Sequence, residues 1–327
     1  MNDLEILDVI EPKEFSILET YGEDLTAKTY VTNPAIARES EIKKVMITLL
    51  TPDKSALLIG KPGIGKTAIV EGLAYLIGLN QVPNALMGYR VIKFNASSLS
   101  SKITLENREE LVITLLIDEI KRSQKIILFI DEVHSLIGNN ESLDLANMLK
   151  PALDRGDVKA IGATTTLEYD QYIIKDRAFL RRFERIDVLE PDIKTTVQIL
   201  LGSLPRIENK TGIKFKYNGY TSELLITSIV EATSEFKRVY GLSAMYPDIA
   251  FSVLSQAFSQ ALFTNKPTVD VLDVYNAIKT TKRVYPDSII KELAAFKIKF
   301  KDLCDEENIV LPTVTIDDIK IEYDSLY

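Results

Sequence analysis

The 327-residue chain has no tryptophan, one cysteine and one histidine. With Cys304 alone, no intramolecular disulfide can form, and with His134 as the one histidine no Cys/His metal cluster can be assembled. Cys304 reads as a small packing residue, the common behaviour of a free cysteine. Basic charge is in deficit: 39 Lys and Arg stand against 47 Asp and Glu, a net charge of −8. That balance speaks against a protein built to grip nucleic acid or anionic lipid. No apolar run approaches the ~20 residues that cross a bilayer. The opening MNDLEILDVIEP has neither the basic nor the apolar stretch of a secretory signal. The expected setting is the cytoplasm, with no membrane partner. Internal repeats and low-complexity tracts are missing too.

What is present is ordinary globular composition, 46% apolar and 26% charged. At ~100–200 residues per domain, the length suits about two domains. Up to about Pro191, short apolar runs alternate with helix-length segments: ALLIG (56–60), VIKF (91–94), IILFI (126–130), AIGAT (160–164) and RIDVL (185–189). Near-continuous apolar runs are expected of parallel strands covered on both faces, so this part reads as an α/β crossover domain. From about Asp192 to Tyr285, apolar residues fall at helical spacing over 193–207, 222–235, 247–263 and 270–281, with turn signals between them and no comparable strand run. This predicts a small all-helical domain. In the tail, Ile289, Leu293, Phe296, Phe300 and Leu303 form one stripe on a helix, expected to dock on its own domain. The final VTIDDIKIEYDSLY is polar and expected to be loosely held.

Gly60–Thr67 reads GKPGIGKT, which fits G-x-x-x-x-G-K-[ST] between a strand and a helix pattern, the context the motif requires. Phosphate oxygens must approach backbone N–H groups closely, and Gly60, Gly63 and Gly65 lack the Cβ that would block them. The helix that follows points its positive end at the anion. Pro62, Gly63, Ile64, Gly65, Lys66, Thr67 and Ala68 are the expected ATP contacts, with Lys66 on the β- and γ-phosphates and Thr67 on Mg²⁺. Downstream, IILFIDE ends an apolar strand in two acids. Asp131 is expected to bind Mg²⁺ with Thr67, and Glu132 to act as general base toward water. A strand end with solvated acids is the bland alternative. His134 has no second ligand or partnered nucleophile and is assigned to packing or positioning.

The stretches GKPGIGKTAIVEGLA, IILFIDEVHSLIG, ANMLKPALDRGDVKAIGATT and EYDQYIIKDRAFLRRF together resemble the first ATPase module of the Clp-type AAA+ unfoldases. YGEDLTA (21–27) and IARESEIKKV (36–45) resemble that family's lead-in. The likeness runs strongly from about Glu19 to Asp187. It implies a P-loop AAA+ parallel-sheet domain over 1–190, a helical lid over 191–285, and a C-terminal helix with a linker-like tail over 286–327. It implies that Thr165 senses the γ-phosphate or the attacking water, and that Ala35 and Ile36 line the adenine pocket. It places Arg181 and Arg182 as arginine fingers acting on a neighbour's ATP, so that the active species is a ring, six subunits by resemblance. A solvated basic pair capping a helix is the alternative for those arginines.

Several positions depart from the family pattern. SSKITLENREEL (100–111) stands where the substrate-gripping pore loop belongs, and Ile103 replaces its aromatic, a weaker grip on a threaded polypeptide. The segment SLIGNNESLDL is short, and Ile249 replaces a lysine in PDIAFSVL (247–254), with no sensor arginine evident there. The family's N-terminal domain does not precede Tyr21, and VTIDDI resembles the linker into a second module, so a fragment and a single-module protein both stay open. The expected function is ATP hydrolysis at a subunit interface that remodels or unfolds a protein partner. The rival is a nucleotide-gated scaffold with little turnover and no threading. A nucleic-acid-linked role is disfavoured by the charge.

Overall fold

The structure is a computed structural model that describes residues 16–319 apart from 100, 106–107, 124, 138–144, 155–157 and 242–244. Its centre is a six-stranded sheet: β1 (Glu23–Asp24), β2 (Ser55–Ile59), β3 (Arg90–Asn95), β4 (Ile126–Asp131), β5 (Lys159–Thr164) and β6 (Phe183–Asp187). The spatial order is β1-β3-β4-β5-β2-β6, parallel throughout except for the antiparallel edge strand β1. The five apolar runs of the sequence are its five parallel strands. Every residue of β2 is buried, because β2 lies between β5 and β6 and has helices on both faces. The strand period of 2 sorts its side chains: Leu57 and Ile59 enter one apolar cluster, Ala56 and Leu58 the other. Helices Glu39–Leu50 and Lys66–Gly78 cover the second face, and Val112–Ser123 covers the first. Fully burying a Leu, Ile or Phe contributes about 1.5–3 kcal/mol, so these clusters dominate the stability of the sheet.

From Ile193 onward the chain is mainly helical: Ile193–Thr211, Gly219–Ala232, Asp248–Phe263, Val271–Lys279 and Pro286–Lys299. The ends have local causes. Asp192 caps the first helix by accepting from Thr195 N at 2.7 Å, and Gly212 stops it in the left-handed region. Asp270 and Asp273 form a capping box on the fourth, and Pro286 occupies the first turn of the fifth. Two short strands, Lys214–Phe215 and Thr268–Val269, pair in parallel inside this helical part, a detail the helical spacing did not indicate.

These helices share one apolar cluster, drawn wholly from residues 197–319. Ile289, Leu293, Phe296 and Phe300 are buried in it and Leu303 packs against it, so the stripe docks on its own helices. The helix is not continuous through the stripe: Phe300 caps one helix and begins the next, Lys301–Glu307. The tail is held further than its polarity suggested. Tyr275 Oη donates to Pro312 O at 2.8 Å, and Ile319 is 2% exposed. Residues beyond it lie outside those described. Among the described residues no helix is long and apolar enough to cross a membrane.

The two parts meet at the segment after β6. Arg238 Nη1 donates to Glu190 Oε1 at 2.8 Å, and Tyr246 N donates to the same oxygen at 2.8 Å. Ile36 packs against Gly202 of the first helix of the helical part, where a Cβ would lie 2.6 Å from Ile36 Cδ1.

Candidate functional site

The carboxyl ends of β2, β4 and β5 open on one cleft of about 520 Å³ roofed by the helical part. An open parallel sheet binds ligands at this place, outside the strand ends where the order reverses. Ala35, Ile36, Pro62, Gly63, Ile64, Gly65, Lys66, Thr67, Ala68, Asp131, Glu132 and Thr165, all expected from sequence to serve the site, line it.

The loop from Gly60 to Thr67 has the conformation its glycines permit. Gly65 sits at φ 98° immediately before helix Lys66–Gly78, with no side chain capping that end. The first N–H groups of this helix are therefore left to a ligand. Gly63 sits at φ 76°, and a Cβ there would lie 2.7 Å from Asp248 Cβ of the roof. Arg38, 6% exposed, braces the loop from behind: Nη2 donates to Ile64 O at 2.7 Å and Nη1 to Leu189 O at 3.2 Å.

Lys66 Nζ folds back onto Gly60 O at 2.8 Å and Lys61 O at 3.1 Å. Burial pushes its pKa down, against the opposing pull of Asp131 and Glu168. A desolvated ammonium gains most from an arriving phosphate. Thr67 Oγ1 donates to Asp131 Oδ2 at 3.3 Å, so hydroxyl and carboxylate already stand together. Two hard oxygen donors at the foot of a phosphate cradle fit Mg²⁺, which takes one or two protein oxygens and completes its shell with water and phosphate. Among the described residues no three His, Cys, Asp or Glu side chains converge on a metal site.

Glu132 follows Asp131 at φ 55°, a left-handed turn that ends the strand and leaves its side chain exposed at the mouth. Its backbone carbonyl accepts from Ser135 N at 2.9 Å and Ser135 Oγ at 2.6 Å, fixing the turn. Thr165 caps a one-turn helix: its Oγ1 accepts from Glu168 N at 3.3 Å, and Glu168 Oε2 accepts from Thr165 N at 3.0 Å. The same Glu168 oxygen accepts from Thr164 Oγ1 at 3.3 Å and lies 3.1 Å from His134 Nδ1. Burial alone would raise the Glu168 pKa, but the Thr165 hydrogen bonds and the His134 ring outweigh it and hold the carboxyl below its ordinary range. His134 also stacks on Tyr172, ring centroids 6.1 Å apart, in line with a packing and positioning role. A wider cleft of about 1080 Å³, lined by His134, Tyr172, Leu167 and Tyr240, adjoins the first and shares Pro62, Thr165 and Glu168 with it.

Arg181 and Arg182 are elsewhere. Arg182 O accepts from Ser55 N at 2.8 Å and Arg181 O from Lys54 Nζ at 2.9 Å, at the amino end of β2. The phosphate loop leaves the carboxyl end of that five-residue strand. At ~3.3 Å per residue the two ends are roughly 16 Å apart, beyond an arginine's reach. Ile103, in the hairpin Lys102–Leu105 with Arg108–Leu111, is partly buried against the sheet's apolar cluster.

Sequence reasoning missed several residues in or beside the cleft. Glu168 had a visible signal, the T-x-x-E capping-box pattern Thr165–Glu168. Lys93 had one too, as a charge inside the apolar run VIKF; its Nζ lies 3.3 Å from Asp131 Oδ2. Arg206 and Phe251, stacked at 6.0 Å on the roof, carried no local signal.

Comparison with known proteins shows the family. Residues 56–190 match the family described as "ATPase family associated with various cellular activities (AAA)". The chain is 36% identical over 249 residues to chaperone protein ClpB of Helicobacter hepaticus, covering 74% of this chain and 28% of that one. It is 34% identical over 278 residues to a probable ATP-dependent Clp protease ATP-binding subunit of Chlamydia pneumoniae, covering 83% of this chain and 32% of that one. A closed-state structure of Hsp104 with ATPγS and FITC-casein superposes with a TM-score of 0.71 at 31% identity, covering 95% of this chain and 52% of that one. The chain thus spans under a third of the length of these curated relatives and about half of the Hsp104 chain.

Proposed function

The chain carries a Clp-type AAA+ module, and from that premise we propose that it hydrolyses ATP at a subunit interface and uses the cycle to remodel a protein partner. The observation that carries the reading is the convergence, at the carboxyl ends of three adjacent strands, of the loop Gly60–Thr67, the Thr67–Asp131 pair and Thr165 around one cleft. In this reading the loop N–H groups and Lys66 hold the phosphates, and Ala35 and Ile36 border the base. Thr67 and Asp131 hold Mg²⁺, which supplies charge neutralisation at the β- and γ-phosphates. Glu132 orients and deprotonates the attacking water. Thr165 reports on the γ-phosphate, and the Glu168 box fixes its hydroxyl. Residues 1–190 act as the nucleotide domain, 191–285 as the lid and 286–327 as its C-terminal extension.

Arg181 and Arg182 sit at the wrong end of β2 to reach their own cleft, which supports a role in a neighbour's site. A closed ring of head-to-tail contacts, six by likeness to the family, supplies that neighbour. The setting we propose is cytoplasmic, without membrane or nucleic acid. A second reading, a nucleotide-gated scaffold, is favoured by Ile103, which packs on its own domain in the position of a pore aromatic.

Steady-state ATP hydrolysis with and without an unfolded protein such as casein separates the two. The remodelling reading expects Mg²⁺-dependent turnover that rises with casein and that falls about 10²–10⁴-fold in Glu132→Gln. Turnover indifferent to unfolded protein favours the scaffold. ATP binding without hydrolysis at any protein concentration overturns the enzyme.

A further inference from the structure

A lysine inside a buried parallel strand needs a reason, because burying an ammonium costs free energy unless it is paired. Lys93 is in β3, opposite Phe129 of β4 in register. Its neighbour Val91, two residues back on the same strand face, belongs to the apolar cluster that packs under the phosphate-loop helix. Its side chain is 22% exposed and its ammonium lies 5.8 Å over the Phe129 ring. From there it reaches Asp131 Oδ2 at 3.3 Å, the oxygen that also accepts from Thr67 Oγ1 at 3.3 Å. Lys66, the ammonium that lines the cleft, is turned onto the carbonyls of Gly60 and Lys61. The carboxylate read as the metal ligand therefore has a resident cation supplied by the neighbouring strand.

We propose that Lys93 is a built-in counter-cation that holds Asp131 aimed at Thr67 before nucleotide arrives, and that it keeps a divalent ion from settling on Asp131 unless a triphosphate brings it. The inference rests on the reading of Asp131 as a metal ligand. An ammonium and a divalent cation at one carboxylate repel each other, and near a protein surface a unit charge a few ångströms away is worth on the order of tenfold or more in affinity. The triphosphate reverses the balance. Its negative charge offsets both cations, so Lys93 opposes the free metal and tolerates the metal–nucleotide complex. Lys93 also adds positive charge to the cleft, so ATP without metal is held better than an Asp131–Thr67 pair alone would allow. In the terms of the reaction Lys93 is a positioning residue, acting through Asp131.

The test is Mn²⁺ binding to the full chain without nucleotide, followed by electron paramagnetic resonance, beside titration of a fluorescent ATP analogue in EDTA. Wild type is expected to bind Mn²⁺ weakly. Lys93→Met and Lys93→Gln are expected to bind it about tenfold tighter, to lose that gain when Asp131→Asn is added, and to bind the metal-free nucleotide more weakly than wild type. Lys93→Arg is expected to behave as wild type in both titrations. Tight Mn²⁺ binding by wild type alone overturns the proposal without recourse to any variant. So does an unchanged Mn²⁺ affinity in folded Lys93→Met or Lys93→Gln. Failure of the underlying reading looks different: Asp131→Asn would then leave the tightening of ATP by Mg²⁺ intact.

Discussion

The sheet and the helical part face the same cleft but equip it by different rules. On the sheet, each polar group stands one step beyond a buried apolar run: Asp131 after Ile126–Ile130, Thr165 after β5, and the phosphate loop after β2. The strands fix where the backbone ends, so the chemistry is written in consecutive residues. On the helical side, Arg206, Asp248 and Phe251 project into the cleft from two helices whose other faces build an apolar core. Their role comes from how the helices are placed, not from any local string. The sheet thus supplies fixed donors and acceptors, and the helices supply a roof whose position depends on their packing.

The largest expected effect tests the sheet side at its far end. Arg181→Ala should lower ATP turnover about 10³-fold or more, the usual weight of an arginine finger. Nucleotide affinity measured on the isolated chain should hardly change, because Arg181 lies at the amino end of β2. Mixing Glu132→Gln and Arg181→Ala chains should restore part of the activity, since one mixed interface then has both groups intact. A loss of nucleotide affinity in Arg181→Ala would place the arginine in its own site.

The next effect tests the helical side as a separate core. Phe258 is 1% exposed in a cluster drawn only from residues 197–319. Phe258→Ala should cost about 3–5 kcal/mol, read as an earlier urea midpoint for the helical part. Amide exchange in β2 and β4 should be much less affected, because the buried members of their clusters all lie at or before Val188, and Met245 is the one hydrophobic residue of the helical part given as packing against them. Equal loss of protection in both parts would break the comparison and make the chain one cooperative unit.

The same contrast explains what could be read from sequence. Gly60–Thr67 and Ile126–Glu132 stood out because the phosphate and metal binding proposed for them would need particular residue types in a fixed local order. The five parallel strands were legible because burial on both faces forces apolar runs. Helices could be found by spacing but their ends could not: the first helix of the helical part extends past Ile207 to Thr211, where Gly212 supplies the left-handed stop. Lys93 and Arg206 were passed over because a single charge acquires its role only from the strand or helix beside it. In the tail, a polar string hid one anchor, Ile319, whose burial decides where the segment docks.

A smaller effect probes the roof's contribution to the ligand. Arg206, carried over the Phe251 ring, lines the cleft with Ile36 and Ile199. Arg206→Ala should weaken binding of a fluorescent ATP analogue about tenfold, the order of one charge a few ångströms from a ligand. Stability should fall little. Arg206→Lys should recover part of the affinity, as retained charge without the planar stack would. Unchanged affinity in Arg206→Ala would mean that the helices cover the cleft without gripping its ligand.

The smallest effect belongs to Glu168, which ties the sheet end to His134. Its folded pKa is below the ordinary 4.5, because the Thr165 hydrogen bonds and the His134 ring outweigh burial. Ionised Glu168 therefore favours the folded site at any pH above that ordinary value, and the contribution is lost as pH falls through the lower folded one. The group is about one-third exposed, so solvent screening limits it to about 1 kcal/mol or less. Stability measured from pH 7 down to 3 should decline slightly less steeply in Glu168→Gln than in wild type, with the curves converging at the acid end. Glutamine keeps an oxygen to accept from Thr165 N and Thr164 Oγ1 but loses the charge facing His134. A Thr165-dependent defect in turnover at neutral pH should thus be mild in Glu168→Gln and stronger in Glu168→Ala, which leaves Thr165 N without its side-chain acceptor. Equal defects in the two variants would mean that the charge, not the capping box, sets the position of Thr165.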